Sequence, residues 1–387
     1  MTSHALLSPS SAHRWLHCTP SARLEATLPE PKKRVGQKDF SAEGTLAHSM
    51  SEVKLRFQLN QIGVEEHDKE IELCKQNALY SEELEEVANS YVNFVRSQAG
   101  SQDKVFVEAR VDIGEYVVES FGTSDCVIIG ENRLTVIDLK AGAGVPVSAI
   151  NNEQLRLYAL GAYERYKTEF PDLKDVRTII VQPRLDSITE DFTTIGKLVE
   201  WGKYYVKARA QKAYAGTGDF VPGDHCHWCR AKAQCKARQE FNTEIAKLEF
   251  RPAPLLDDEE IHLVLSRVDS LRTYANDIAE YTLKKAVDED VIPKGYKLST
   301  TVTHRKISDQ ALAATVLIDK GLSKEEIYEP VSLKSISQLS KLRSKGQIES
   351  ILGDLIVRPE GSPKLVKDKA EAVEDFKWTH GWLLSLA

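Results

Sequence analysis

Residues 106–166, FVEARVDIGEYVVESFGTSDCVIIGENRLTVIDLKAGAGVPVSAINNEQLRLYALGAYERY, constrain the fold more than any other part of the chain. Val105 to Asp112 alternates apolar and polar residues, Thr123 to Ile129 is largely β-branched and apolar, and Arg133 to Leu139 has the near-continuous apolar run of a buried strand. A helical pattern follows through Tyr166. Acidic residues fall inside these strands: Glu108, Asp125 and Asp138, with Lys140 two positions past the last. Period two sets Asp138 and Lys140 on one face of one strand. Burying a carboxylate and an ammonium at a sheet's centre costs several kcal/mol unless they pair or bind a metal, so the pattern demands a chemical reason.

Metal-assisted hydrolysis of a phosphodiester uses such a set. Two or three carboxylates within reach of one point hold Mg²⁺ or Mn²⁺, both of which prefer oxygen ligands. The ion stabilises charge developing on phosphoryl oxygens and lowers the pKa of a bound water, which a neighbouring lysine can orient. The plainer reading is that Asp138 and Lys140 end a strand at the solvent edge and pair weakly, worth about 0 to 1 kcal/mol.

At 387 residues the chain can bury a large core and is expected to hold two domains. With 42% hydrophobic and 28% charged residues its composition is that of an ordinary soluble globular protein. A net charge of −7 argues against nonspecific coating of nucleic acid but permits a local basic cleft. The N-terminal stretch MTSHALLSPSSAHRWLHC has no basic region followed by an apolar core, and no run of 18 apolar residues occurs, so neither secretion nor a membrane span is expected. No phosphate loop of the GxxxxGK type is present; any motor acting with this protein is another chain.

In chain order, Ser8-Pro9 reads as the N-cap and first position of a short helix through Cys18. Residues 29–39, polar and turn-rich, read as a surface loop whose basic residues could touch nucleic acid. Ser41 is expected to cap a helix with Glu43 in its first turn, and His48 and Glu52 share one face of it. Asp68 to Gln98 reads as helical, with Leu84, Val87, Tyr91 and Val95 as its core face. Gln154 and Tyr158, four apart, share a helical face; a strand at 176–183 and a helix at 198–215 follow. The order α, mostly β, then α, β, α predicts an α/β sheet flanked by helices.

Six cysteines occur, of which Cys226-x2-Cys229-x5-Cys235 form a tight group. Three thiolates so close make a poor disulfide set and suit a soft metal or an iron–sulfur cluster. The fourth ligand is missing locally; His225 or His227 could complete a tetrahedral zinc site. Cys74 and Cys126 read as buried apolar residues. Residues 251–258 read as a linker. A helix follows from Asp257 or Asp258 with apolar positions Ile261, Leu265, Val268, Leu271 and Ile278, then a hairpin from Gly295 through Ile307 and short helices. Lys294, Lys297, His304, Arg305 and Lys306 form either a phosphate-contacting patch or a solvated hairpin face.

The segments GTSDCVI, VIDLKAGAGV and NNEQLRLYALGAY together resemble the PD-(D/E)XK nuclease superfamily in its RecB-like branch, and within it a phage- and prophage-encoded family of unknown function. The resemblance spans most of the chain and is dense from Glu43 to Cys235. It implies a restriction-endonuclease-like mixed sheet flanked by helices over residues 1–250, with a smaller, mainly helical region over 251–387. It implies that Asp125 and Asp138 ligate Mg²⁺ or Mn²⁺, that His48 helps hold the ion, and that Lys140 serves the attacking water. Glu108 is a weaker candidate: a ligand, a supporting group or an exposed strand position. Gln154 and Tyr158 match the branch's Gln-x-x-x-Tyr motif, which approaches DNA. Cys18 joins Cys226, Cys229 and Cys235 as the branch's pattern of one early and three late ligands to a 4Fe-4S cluster, with zinc as the competing occupant. The implied activity is a metal-dependent DNA nuclease, an exonuclease, in phage replication, recombination or repair in the host cytoplasm, acting with proteins such as a helicase or single-strand-binding protein. The alternative is a noncatalytic nucleic-acid-binding scaffold that keeps the fold and the cysteine staple.

Overall fold

The computed structural model describes residues 5–29, 40–244, 258–300, 306–329, 332–336, 338–339, 345–357 and 363–367. Most of the 29–39 loop, the 251–257 linker, and His304 and Arg305 of the basic patch lie outside them. The chain divides into two compact units, Met1–Arg267 and Val268–Ala387.

In the first unit a 3₁₀ turn at Pro9–Ser11 leads into α1 (Ala12–Trp15), followed by α2 (Ser21–Ala26), α3 (Phe40–Gln58), α4 (Val64–Lys75) and α5 (Glu82–Gln98). A five-stranded sheet then forms from β1 (Lys104–Asp112), β2 (Phe121–Ile129), β3 (Arg133–Leu139), β4 (Asp175–Gln182) and β5 (Ser187–Thr194), side by side in that order. Every neighbouring pair is antiparallel except β3 and β4. The parallel pair needs a crossover, and α6 (Glu153–Tyr166) supplies it. The fold is thus mixed α/β, a mixed sheet flanked by helices, as the strand and helix pattern predicts.

Alternation along the strands feeds two cores. Val127, Ile129, Leu134, Val136 and Val176 join Leu155, Leu157 and Leu160 of α6. Cys126, Ile128, Ile137, Leu139 and Ile179 join Met50 of α3 and Leu84, Val87, Tyr91 and Val95 of α5. The expected core face of the 68–98 region is therefore the one buried. That region is two helices rather than one, because Ser81 begins a new one by accepting the Leu84 N–H at 3.2 Å. The third helix starts at Phe40, ahead of the expected cap at Ser41. Neither α2 nor the solvent-facing β5 is signalled by an apolar pattern.

The second unit corrects two expectations. Tyr296–Thr300 pairs with Pro363–Lys367, and Lys306–Ile307 with Ile356–Val357, so among the described residues the two arms of the expected Gly295–Ile307 hairpin do not pair with each other. Short polar strands with few packing residues leave partner choice to the surrounding fold. Along the helix Asp258–Asp288, whose residues up to Arg267 belong to the first unit, Ile261, Leu265 and Ile278 are exposed and Val268 and Leu271 half-buried, whereas Glu260, Tyr274, Asp277 and Ala286 are buried. The region is nonetheless largely helical, with a core built on Ala313, Leu317, Ile327, Leu339 and Ile348.

Candidate active site

The site arises where β2 parts from its neighbours. The ladder between β2 and β3 ends at Cys126 opposite Ile137. One step further, Asp125 and Asp138 would face each other, and there the strands separate. The Asp125 carboxylate enters the split and accepts the Leu139 N–H at 2.7 Å, taking the place of a ladder acceptor. On the other side, β1 pairs with β2 continuously except at Glu108, which stands opposite Asp125. Glu108 has φ of 47°, a left-handed conformation that a non-glycine residue adopts at a cost of order 1–3 kcal/mol. The consequence is visible in the cores: Val107 packs toward α3 and α5, but Ala109, two residues on, packs toward α6. The strand reverses its faces at Glu108.

This twist brings Glu108 and Asp125 against α3. The ligand atoms of His48, Glu108 and Asp125 all lie within 4.8 Å of one another, a spacing that one cation can span. His48 Nδ1 is 3.2 Å from Asp125 Oδ1. Burial opposes charge on His48, but the hydrogen bond and charge of Asp125, with Asp138 behind it, raise its pKa to about 8. Burial and the negative charges of Asp125 and Glu52 push Glu108 up to about 7. Both shifts favour the protonated forms of His48 and Glu108.

Asp138 stands beside this trio rather than inside it. Fully buried, its carboxylate meets Lys140 Nζ at 2.8 Å and accepts from Gln154 Nε2 at 3.1 Å. Burial and the Asp125 charge raise its pKa against the pull of Lys140, while Asp138 keeps Lys140 protonated despite burial. Gln154 also accepts from Lys140 Nζ at 3.2 Å and donates to the Tyr158 hydroxyl at 3.2 Å. Burial raises the Tyr158 pKa above its ordinary value, so the phenol stays neutral. Thus Asp138, Lys140, Gln154 and Tyr158 are one connected group adjoining His48, Glu108 and Asp125.

Two supporting residues were not signalled by any motif. Gln182, buried at the end of β4, donates from Nε2 to the Gly142 and Val145 carbonyls at 2.7 and 3.0 Å and accepts the Val147 N–H at 3.0 Å. Arg184 donates to the Ala141 carbonyl at 3.1 Å and pairs with Glu43 and Glu83. Together they hold the loop that follows Lys140. The one sequence cue was a polar residue closing an otherwise apolar strand.

Cys18, Cys226, Cys229 and Cys235 line a single pocket with Arg14, Lys232 and Arg238. Burial raises the thiol pKa of Cys18 and Cys226, and that of Cys229 to about 12. The first helices are clasped to this region by direct bonds: Arg14 to the Trp228 carbonyl, Thr19 to the Thr217 carbonyl, Arg209 to the His17 carbonyl and Arg230 to the Leu28 carbonyl. His225 lines the same pocket, with Nε2 donating to the Val221 carbonyl at 2.8 Å; His227 is exposed and packs edge-on against Trp228. Cys126 is fully buried and Cys74 half-buried, both apart from the pocket.

The fold and site define a mixed α/β protein with a carboxylate–histidine cluster beside a buried aspartate–lysine pair and a thiol-lined pocket. Residues 4–372 match the family described as "Protein of unknown function (DUF2800)", and the chain belongs to that family. Among solved structures it is similar to a chain described as "Crystal structure of SSO0001", at 13% identity over 58% of this chain and 96% of that one, with a TM-score of 0.23. Among the described residues no helix is long and apolar enough to cross a membrane.

Proposed function

We propose that this protein is a divalent-metal-dependent DNA nuclease of the PD-(D/E)XK superfamily, in its RecB-like branch, that hydrolyses phosphodiester bonds as an exonuclease in phage replication, recombination or repair. The observation that carries the reading is the convergence of His48, Glu108 and Asp125 on one point beside the Asp138–Lys140 pair. A cation fits there because it would offset the burial and the Asp125 repulsion that together lift the Glu108 pKa and would replace the proton between His48 and Asp125. Oxygen donors with one imidazole favour Mn²⁺ over Mg²⁺. Such an ion supplies polarisation of the phosphoryl oxygen and a more acidic bound water. Lys140, held charged by Asp138, orients that water. Asp138, held by Lys140 and Gln154, stands outside the trio that would hold the ion. Gln154 fixes Lys140 and Asp138 relative to each other and is the member of the Gln154–Tyr158 pair that would meet the DNA strand, the buried Tyr158 holding it in place through its hydroxyl.

For the cysteine pocket we propose a structural 4Fe-4S cluster. Four thiols at the pocket wall supply the ligands, and the cations Arg14, Lys232 and Arg238 offset the cluster's negative charge. Zinc held by the same thiols is the competing occupant, and metal and sulfide analysis of the purified protein separates the two.

The test is incubation of the purified chain with end-labelled single- and double-stranded DNA, with Mn²⁺ or with EDTA. Cleavage should require the ion, and Asp138→Ala or Lys140→Ala should lower the rate by about 10² to 10³-fold or more while leaving folding intact. DNA binding with no hydrolysis under any metal would leave the scaffold reading in its place. Parental activity in the Asp138→Ala, Lys140→Ala double variant would falsify the site assignment.

A further inference from the structure

The helical run after β5 carries a feature that the hydrolytic site does not use. It comprises Ile195–Glu200, a π-helical segment Trp201–Val206, and Lys207–Ala215. A π-helical turn is a rare and costly interruption that recurs at functional sites. Here it turns Tyr204 and Tyr205 outward, 76% and 39% exposed, although both are large aromatics that the core could have used. Trp201 stacks on Tyr205 with ring centroids 6.4 Å apart and planes 21° from parallel. Arginines flank the pair: Arg156 lies over Trp201 and Arg209 over Tyr205, each 5.9 Å from the ring centroid. Cation, ring, ring and cation thus form a ladder whose facing surfaces are filled, with Arg156 also paired to Asp191 at 3.2 Å, and Tyr204 stands open beside it.

Position and charge say what the ladder would hold. Arg156 lies on α6 two residues after Gln154, and the Arg209 guanidinium binds the carbonyl of His17, whose ring meets Glu153 at 3.0 Å. The ladder therefore runs beside the first turn of α6, the turn that presents Gln154 to the carboxylates. In a chain of net charge −7, the segment 195–215 carries Lys197, Lys203, Lys207, Arg209 and Lys212 against Glu200 as its one acid. The exposed rings of Tyr204 and Tyr205, set among these cations, suit stacking with unpaired bases on a phosphate backbone. A duplex hides those faces by stacking them on each other.

We propose that Trp201, Tyr204 and Tyr205, with Arg156 and Arg209, form a binding surface for single-stranded nucleic acid that leads the strand to the α6 end of the hydrolytic site. The inference rests on the nuclease reading for its direction, but binding itself needs neither metal nor cleavage. The experiment uses the full chain in EDTA, with fluorescein-labelled oligothymidylate and a duplex of equal length, read by fluorescence anisotropy. The wild type should prefer the single strand. Tyr204→Ala with Tyr205→Ala should weaken that binding about tenfold or more, whereas Tyr204→Phe with Tyr205→Phe, which keeps the rings, should stay within about twofold. Unchanged circular dichroism in both variants shows that the helix survives. A wild type that ignores oligothymidylate, an alanine variant that binds as well as wild type, or a phenylalanine variant as weak as the alanine one overturns the proposal. Cleavage with Mn²⁺ separates the two ideas: ring-dependent binding without hydrolysis sinks the nuclease and spares this surface, and hydrolysis indifferent to the rings does the reverse.

Discussion

Glu108 pays in backbone strain for a position opposite Asp125, and its proton affinity exposes that position to measurement. The Glu108 pKa of about 7 lies above its ordinary 4.5, and that of His48, about 8, above 6.5. Each group binds its proton more tightly folded than unfolded, so each contributes stability that is present at low pH and lost as pH rises: Glu108 between 4.5 and about 7, His48 between 6.5 and about 8. The metal-free protein should therefore melt at lower temperature near pH 8 than near pH 5.5, and Glu108→Gln should flatten the lower part of that slope. Mn²⁺ should raise the melting temperature more at the alkaline end, because it takes the place of both protons. Because His13 and His225, whose pKa values burial lowers, add stability as pH rises, the test is the change on substitution: a slope in EDTA untouched by Glu108→Gln, or a metal effect larger at the acidic end, would remove Glu108 from the ion site. Calorimetric titration of Mn²⁺ into Glu108→Gln should also show affinity down by about tenfold or more, since even groups that only orient ligands contribute that much.

Among the elements, α6 carries most responsibility, since it closes the parallel crossover and aims Gln154 and Tyr158. It approaches β1 closely at Gly161, where an added Cβ would lie 2.8 Å from Val111 Cβ and 3.1 Å from the Asp112 carbonyl oxygen. Neither atom can swing aside. Gly161→Ala should cost about 1 to 3 kcal/mol in chemical denaturation; an unchanged midpoint would mean that the contact relaxes freely. Most of this element's role was legible from the sequence, because the apolar runs of β2, β3 and β4 and the four-residue step from Gln154 to Tyr158 are local patterns. The Asp138–Lys140 pairing was likewise legible from period two. What stayed hidden depends on tertiary contact. The left-handed turn at Glu108 breaks the period that would announce it, Gln182 supports its loop from a position 42 residues past Lys140, and the strands around residues 296–367 are too short and polar to encode their partners.

On the scale of the whole molecule, the thiol pocket joins the start of the described chain to residues 226–235. If a cluster closes it, a cross-link across about 208 residues removes unfolded-chain entropy worth on the order of 5 kcal/mol, a large share of a typical domain stability of roughly 5 to 15 kcal/mol. Cys18→Ser should then destabilise the protein nearly as much as Cys229→Ser. Anaerobic purification with iron, sulfide and zinc analysis, a visible spectrum and melting curves for both variants checks this. Stoichiometric zinc without sulfide, or a Cys18→Ser protein with full cluster and unchanged melting, excludes the assignment. The clasp between the first helices and residues 209–230 also sets a timetable for synthesis. Leu7, Trp15 and Leu16 are buried in the finished protein, in the same core as Val206, Ala210 and Ala213, and those late partners are translated roughly 200 residues after them. At about 5 to 20 residues per second, these apolar side chains leave the ribosome roughly 10 to 40 seconds before the helix that covers them, an interval in which a chaperone or the nascent sheet must shelter them.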